Sequence, residues 1–222
     1  MKRSIDAGRL ATPSKFRPLL KSKYSLAWLA GLAGAVVLGV CGAVALPSLS
    51  YGQVPVAAEL AQHWSKGEVV MLVRHAERCD RSSAPCLGAA DGITVRGSEQ
   101  AALVGHDYRA LDLSHTDVYA SPMTRTAQTA EQMFGANVIA QSWVADCKGD
   151  VLKNVLQHKV AHRNLVLVTH SECMAQIVQA IDHHDLSTPE YTSSLVLFSD
   201  DKGALQVAGQ IEPQDWAKMN IR

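Results

Sequence analysis

Two histidines of this 222-residue sequence each come at the end of an apolar run. His75 follows the run 68–73 by way of Arg74, and His170 follows the run 164–169 directly. Short apolar runs that are rich in β-branched residues are typical of buried strands. Because ligands in open α/β sheets bind at the carboxyl ends of the strands, we expect both histidines to lie in a binding site.

Three arginines accompany the two histidines. Arg74 and Arg78 flank His75, and Arg125 lies near the start of a helix that is predicted to begin at Thr124. A guanidinium group is a permanent cation whose forked donors match phosphate oxygens. A neutral imidazole beside such groups can accept a phosphoryl group and then release it to water. Since guanidinium groups can stabilise the charge of the transition state, this chemistry requires no metal ion or other cofactor.

The hydrophobic pattern predicts the elements that must position these side chains. Apolar strands alternate with segments of helical periodicity, which favours an α/β fold, a three-layer sandwich with a mostly parallel sheet. A turn at 200–203 predicts a hairpin between the last two strands. Besides the two runs above, strands are predicted at 116–120, 195–198 and 205–207, and helical segments at 56–64, 97–104, 124–134, 151–160 and 173–181.

Charge is distributed unevenly along the chain, although the formal net charge is zero. Residues 1–50 carry seven basic residues and one acidic residue, a net charge of +6, and residues 51–222 carry a net charge of −6. Nucleic-acid binding requires lysine and arginine side chains that neutralise phosphates. We therefore expect no nucleic-acid partner for the acidic part of the chain.

The segment 25–46 is predicted to be a transmembrane or signal-anchor helix. Its 21 apolar or small residues at 26–46 would extend over about 31 Å as a helix, enough to cross the hydrocarbon core of a bilayer. The basic residues before it place the tail, residues 1–24, in the cytoplasm. The alternative is a signal peptide that is cleaved after the small-x-small sequence at 43–45.

Both alternatives export the rest of the chain. We therefore expect a periplasmic protein that is anchored in the inner membrane by this helix or released after cleavage. A linker is predicted at 47–66 and the folded domain at 67–222.

Cysteine usage agrees with export. Four cysteines lie outside the apolar segment, and an even number in an oxidising compartment suggests two disulfides. Three pairings are possible, and the spacing does not resemble that of a zinc site. The four residues are Cys79, Cys86, Cys147 and Cys173.

Four segments resemble the motifs of the histidine phosphatase superfamily and follow one another in that family's order. The resemblance covers roughly residues 68–199 and implies a histidine phosphatase domain at 67–222. Arg74-His75-Ala76 resembles the family's Arg-His-Gly signature, and residues 92–97 resemble its Leu-Thr-x-x-Gly element. Residues 121–130 resemble its second arginine motif, and Thr169-His170 matches its late histidine.

The resemblance implies roles for the histidines and arginines. His75 is the nucleophile that becomes phosphorylated. Arg74, Arg125 and His170 line the phosphate pocket. Arg78 lies where one branch of the family has a third pocket arginine.

The resemblance does not extend to a proton donor for the leaving group. Asp150, which follows Cys147-Lys148-Gly149, is our first candidate for the general acid. The other candidates are Asp146, Glu77 and Glu172. A carboxyl group in this role must be protonated, which requires a raised pKa.

Residues 74–81 and the positions of the four cysteines are similar to an exported branch of the family that acts on heptose phosphate in the lipopolysaccharide core. This similarity implies an exported phosphomonoesterase whose substrate is a phosphorylated sugar or the lipopolysaccharide core itself. Two alternatives are a phosphatase for another envelope phosphate ester and a catalytically inactive module that binds phosphosugars.

Overall fold

The computed structural model describes residue 55, residues 57–182, residue 186 and residues 188–219. The expected cytoplasmic tail and transmembrane segment, residues 1–46, lie outside the described residues. In the part of the chain that is described, no helix combines the length and apolar character needed to span a membrane.

Helices and strands alternate along most of the described chain. The helices are α1 (Ala57–Lys66), α2 (Val95–Arg109), α3 (Thr124–Phe134), α4 (Val151–His158), α5 (Ser171–Asp182) and α6 (Trp216–Met219). The strands are β1 (Val69–Arg74), β2 (Thr116–Ala120), β3 (Ile139–Ala140), β4 (Asn164–Thr169), β5 (Ser194–Ser199) and β6 (Leu205–Ile211).

The strands form one sheet in the order β3-β2-β4-β1-β5-β6. The pairs β3–β2, β2–β4 and β4–β1 are parallel, whereas β1–β5 and β5–β6 are antiparallel. The predicted α/β class is confirmed, but the sheet is mixed rather than mostly parallel. The predicted hairpin at residues 200–203 accounts for the antiparallel β5–β6 pair, because so short a turn can join only antiparallel strands. The sheet is mixed because β5 also pairs antiparallel with β1, a long-range contact that the hairpin does not determine.

Two hydrophobic clusters cover the two faces of the sheet. Along β1, Val69, Met71 and Val73 belong to one cluster, and Val70 and Leu72 belong to the other. This alternation follows from the two-residue period of a strand. Helices α1, α2, α3 and α6 contribute buried residues to the first cluster, and α4 and α5 to the second. Helices therefore pack on both faces of the sheet.

Helix α1 occupies the second half of the segment expected as a linker. Its residues Leu60 and Trp64 are buried in the first cluster. The side chain of Asn164 accepts from Val69 N–H at 3.1 Å and donates to the Trp64 carbonyl at 2.9 Å, which ties α1 to β1 and β4. Gly67, at φ +71°, makes the turn between α1 and β1, where a Cβ would lie 2.1 Å from the backbone of the 162–163 loop.

Two disulfides brace the loops that follow strands. Cys79 pairs with Cys86, with Cα atoms 5.4 Å apart, in the segment after β1. Cys147 pairs with Cys173, with Cα atoms 4.4 Å apart, and so joins the loop before α4 to the first turn of α5.

The Cys147–Cys173 disulfide should stabilise the protein more than Cys79–Cys86. The two bridges join residues separated by 26 and 7 positions. The entropy that a bridge removes from the unfolded chain grows with loop length, which favours the longer loop by about 1 kcal/mol. Melting temperatures of the Cys147→Ser/Cys173→Ser and Cys79→Ser/Cys86→Ser variants check this order. Equal or reversed losses would contradict it.

Candidate active site

The carboxyl ends of β1 and β4 bring the two histidines together. The strands are parallel neighbours, with Arg74 paired to Thr169. The pairing continues one residue further, because the His75 N–H donates to the Thr169 carbonyl at 3.0 Å. The ring centroids of His75 and His170 are 5.5 Å apart, and the two residues are only 3% and 4% exposed. Both histidines therefore lie in one buried site.

The hydrogen bond of His75 determines which of its ring nitrogens can act as a nucleophile. Nδ1 lies 2.8 Å from the carbonyl oxygen of Ala76. Since a carbonyl oxygen only accepts, Nδ1 carries the proton and Nε2 keeps its lone pair. Burial lowers the pKa of His75 to about 3, and nearby cationic groups add to this effect although the hydrogen bond opposes it. A neutral imidazole with an available Nε2 is the form that nucleophilic attack requires.

The loop after β1 is tied to helix α3. Ala76, which stands where the family signature has glycine, is fully buried. Its N–H donates to the Thr129 hydroxyl at 2.9 Å, and that hydroxyl donates to the Arg125 carbonyl at 2.6 Å. The chain next to His75 is therefore held against the helix that carries Arg125.

The hydrogen bonds of His170 also select a single tautomer. Nδ1 lies 3.3 Å from Nη2 of Arg125, and Nε2 lies 3.0 Å from the hydroxyl oxygen of Ser121. A guanidinium group only donates, so Nδ1 accepts and Nε2–H donates to Ser121. Burial, followed by the charge of Arg125, lowers the pKa of His170 to about 4. His170 is therefore neutral as well.

Arg74 and Arg125 each have a donor group that no residue in the described part of the chain accepts from. Arg125 contacts Met123 Sδ at 3.1 Å as well as His170, and Arg74 donates to the Pro189 carbonyl. The Nε atom of each guanidinium is buried and makes no hydrogen bond among the described residues. Because buried polar groups are normally satisfied, two such donors beside a neutral imidazole suit an oxyanion ligand.

Arg78 is engaged by a neighbouring carboxylate. Its Nε donates to Asp80 Oδ1 at 2.8 Å and its Nη2 to Asp80 Oδ2 at 2.5 Å. Hydrogen bonding to Asp80 is the main reason why the pKa of Arg78 is raised. Burial is the main reason why the pKa values of Arg74 and Arg125 are lowered, and the charge of Arg78 adds to this effect, so Arg78 contributes to the positive potential of the site.

Two of the four candidate general acids have structural roles. Glu77 accepts hydrogen bonds from Arg96 and from the Thr94 hydroxyl, and the Arg96 bond is the main reason why its pKa is lowered to about 2. Asp150 is exposed and caps α4 by accepting from the Lys153 N–H at 2.9 Å. The arrangement around Glu77 does not favour a protonated carboxyl group.

The other two candidates line a cavity of about 620 Å³ beside His170. Asp146 forms its rim and accepts from the Gly149 N–H at 3.0 Å. Glu172 is an exposed residue in the first turn of α5. Burial raises the pKa of Glu172, but hydrogen bonds from its own backbone and from Ser171, with the charges of His170 and Arg125, outweigh this and leave the pKa lowered.

A second cavity of about 450 Å³ lies beside Arg74. It is lined by Arg74, Glu77, Arg96, Gly97, Gln100, Glu190 and Tyr191. In the described ranges, no group of three or more His, Cys, Asp or Glu side chains is arranged to hold a metal ion.

Comparisons with known proteins agree with this geometry. A family model described as the histidine phosphatase superfamily (branch 1) matches residues 70–143. A lipopolysaccharide core heptose(II)-phosphate phosphatase of Escherichia coli O9:H4 (strain HS) is 34% identical over 198 residues, which are 87% of this chain and 96% of that protein. The chain belongs to the histidine phosphatase superfamily. It is a phosphatase with a histidine nucleophile, as the sequence motifs predict.

Solved structures show the same fold for this histidine phosphatase. The protein histidine phosphatase SixA in complex with tungstate has a TM-score of 0.52 at 18% identity and covers 66% of this chain and 98% of its own. Bacillus stearothermophilus YhfR has a TM-score of 0.50 at 17% identity and covers 64% of this chain and 95% of its own. The α/β fold with a mixed sheet is therefore that of the histidine phosphatases.

Sequence reasoning missed two residues of the site. Ser121 holds His170, and its only signal was its place at the start of the arginine motif. The Tyr191 ring contacts both Arg74 and His75, with centroid distances of 4.1 Å from the Arg74 Cζ and 5.7 Å from the His75 ring. Tyr191 is far from every motif in the sequence, so no local pattern could have indicated it.

The free energy of unfolding of this phosphatase should fall as the pH is lowered from about 7 to about 4. His75 and His170 stay neutral when folded, with pKa values of about 3 and about 4. In the unfolded chain they take up protons below about pH 6.5, which favours unfolding.

Urea unfolding at a series of pH values measures this effect. A His75→Asn variant should show a shallower loss of stability than wild type over that window. A His106→Asn variant should keep the wild-type slope, because the His106 side chain is 80% exposed. A wild-type slope in the His75 variant would contradict the assignment of a neutral, buried imidazole.

Proposed function

We propose that this phosphatase is an exported phosphomonoesterase that removes phosphate from a sugar of the lipopolysaccharide core, first of all heptose, through a phosphohistidine at His75. One observation carries the mechanism: Nε2 of a buried, neutral His75 keeps its lone pair beside two guanidinium groups whose Nε donors have no partner among the described residues. The 34% identical relative, whose name specifies heptose(II) phosphate, supports the substrate.

The first half-reaction forms the phosphohistidine. The lone pair of His75 Nε2 forms a P–N bond as the ester P–O bond breaks, and the departing sugar oxygen takes a proton from a general acid. Arg74 and Arg125 donate to the phosphoryl oxygens and stabilise the negative charge of the transition state. His170, held by Ser121 and Arg125, adjoins the same group.

The second half-reaction restores the enzyme. A water molecule attacks phosphorus, the P–N bond breaks, and the electron pair returns to Nε2. The carboxylate that protonated the sugar takes up one proton of the attacking water, so inorganic phosphate leaves and both groups are ready for another cycle.

Glu172 is the general acid in this proposal. It lines the cavity together with Arg125 and His170, whereas the exposed carboxylate of Asp150 is engaged as a helix cap. The pKa of Glu172 is low in the ligand-free site because cations and hydrogen bonds surround it. A bound phosphate dianion next to the carboxylate offsets those cations and raises its pKa, so that it binds a proton only when substrate is present.

The cavities on either side of the histidines suit a polyhydroxylated leaving group. Asp146, Lys148 and Gln176 line one cavity, and Gln100 and Glu190 line the other. Such side chains can donate to or accept from sugar hydroxyls. The apolar segment at 25–46 and the paired cysteines support action outside the cytoplasm, where this substrate occurs.

His75→Ala should abolish phosphate release, and Arg125→Ala should lower kcat/KM by at least about 10²-fold, because transition-state charge is no longer stabilised. Arg163→Ala is the matched control, since Arg163 pairs with Asp117 at the opposite end of β4. Phosphate release from a phosphorylated heptose measures these effects. Binding of the sugar without turnover by wild type would identify an inactive module instead.

The substrate is tested in cells that lack the chromosomal copy of this chain. Mass spectrometry should find one phosphate more on the core heptose than in cells complemented with wild type, and His75→Ala should not restore the wild-type mass. An unchanged core, together with purified enzyme that still cleaves other phosphate esters, would assign the enzyme to a different envelope ester.

Glu172→Gln should lower kcat at least about tenfold on a sugar phosphate and much less on 4-nitrophenyl phosphate, whose leaving group needs no proton. Asp150→Asn should change the kinetics little and leave the melting temperature close to wild type, because asparagine caps a helix about as well as aspartate. The reverse pattern would return the role of general acid to Asp150.

A further inference from the structure

We propose that Tyr191 is a positioning residue that holds the Arg74 guanidinium in the orientation in which it meets the phosphoryl group. This inference rests on the proposed phosphatase mechanism and adds a residue to it. Tyr191 lies 117 positions beyond Arg74 in the chain and belongs to none of the motifs described above.

The ring of Tyr191 lies beneath the Arg74 guanidinium. The Arg74 Cζ is 4.1 Å from the ring centroid, which is the geometry of a cation–π contact. The same ring lies 5.7 Å from the His75 ring, with an angle of 40° between the planes. The Tyr191 ring therefore contacts both the nucleophile, His75, and the Arg74 guanidinium that stabilises the phosphoryl group in the proposed mechanism.

A second contact from the same turn fixes the remaining freedom of Arg74. The guanidinium donates from Nη1 to the Pro189 carbonyl. The ring face sets the plane of the group, and this hydrogen bond sets its rotation within that plane. The buried Nε has no partner among the described residues and is thus left to meet a ligand.

The turn 189–193 is bonded to the residue whose side chain it holds. The Arg74 N–H donates to the Ser193 carbonyl at 2.9 Å, and the Thr192 N–H donates to the Arg74 carbonyl at 3.1 Å. Any shift of β1 therefore carries the turn with it, and the distance between ring and guanidinium is preserved.

Backbone strain and a carboxylate indicate that this turn is held in one conformation. Thr192 has φ +63°, a conformation that β-branched residues rarely adopt. Such a residue persists only where its surroundings determine it. Glu212 supplies that constraint by accepting from the Ser193 hydroxyl and from the Glu190 N–H.

Tungstate binding tests the positioning role without requiring turnover. Tyr191→Leu removes the aromatic face and should weaken tungstate binding about tenfold or more, whereas Tyr191→Phe keeps the face and should stay within about threefold of wild type. The same ratios should appear in kcat/KM, and Tyr191→Phe should keep the wild-type pH profile because the hydroxyl transfers no proton.

A double-mutant cycle separates positioning from general loss of structure. In an Arg74→Ala background, Tyr191→Leu should weaken tungstate binding no further, since no guanidinium is left to position. Phe198→Leu is the control for stability. Phe198 stacks on His63 with centroids 4.1 Å apart, and it pairs with Val69 at the far end of β1. This variant should lower the melting temperature and leave tungstate binding unchanged.

Each result decides between the two proposals. Wild-type binding by Tyr191→Leu, or equal losses in the Phe and Leu variants, would overturn the positioning role while the phosphatase mechanism stands. A wild-type protein that binds no tungstate and releases no phosphate would overturn the proposed function and the positioning role together.

Discussion

The parallel pairing of β1 with β4 is the constraint on which the rest of the site depends. It places Arg74 opposite Thr169 and continues through the hydrogen bond from the His75 N–H to the Thr169 carbonyl. A slip of one residue would turn every side chain of the shifted strand to the other face of the sheet and separate the histidines. Because residues 69–73 are apolar and buried on both faces of the sheet, such a slip would also draw the charged residue at one end of β1 toward the core. The free energy of packing the core therefore fixes the register of β1 on β4, and this register fixes the positions of the two histidines.

Burial and positive charge act in the same direction on this site. Each lowers the pKa of both histidines, which keeps a lone pair available for attack at neutral pH. The hydrogen bonds then direct that lone pair, because the Nδ1–H of His75 donates to the Ala76 carbonyl and the Nε2–H of His170 donates to the Ser121 hydroxyl. In the proposed mechanism, the guanidinium groups that add to the effect of burial on these pKa values are also the groups that bind phosphate. In that mechanism the same cations help to keep the histidines neutral in the free enzyme and stabilise negative charge in the transition state.

Local sequence signals predicted most of the helices and strands. The predictions failed where a feature depends on contacts between residues that are far apart in the chain. The strands at 116–120 and 164–169 and the helix at 124–134 coincide with β2, β4 and α3, because each has a strong period or a clear end signal. Strand β3, with only two residues, has no period to detect. The mixed sheet depends on how β5 pairs with β1, which no local pattern encodes. Asp150 looked suitable as an acid from its neighbours in sequence, but in the fold its carboxylate caps α4.

The sequence by itself determined the residue types of the site, their places at strand ends and the family, because these follow from composition, short-range period and motif order. Only the tertiary structure decided which ring nitrogens carry protons, which cysteines pair, which carboxylate lies beside His170 and which ring lies beneath Arg74. Several of those features arise from contacts between residues that are distant in the chain: Cys147 and Cys173 are 26 positions apart, and Arg74 and Tyr191 are 117 positions apart. Their energies depend on distance and burial in space, and a linear order of residues contains neither quantity.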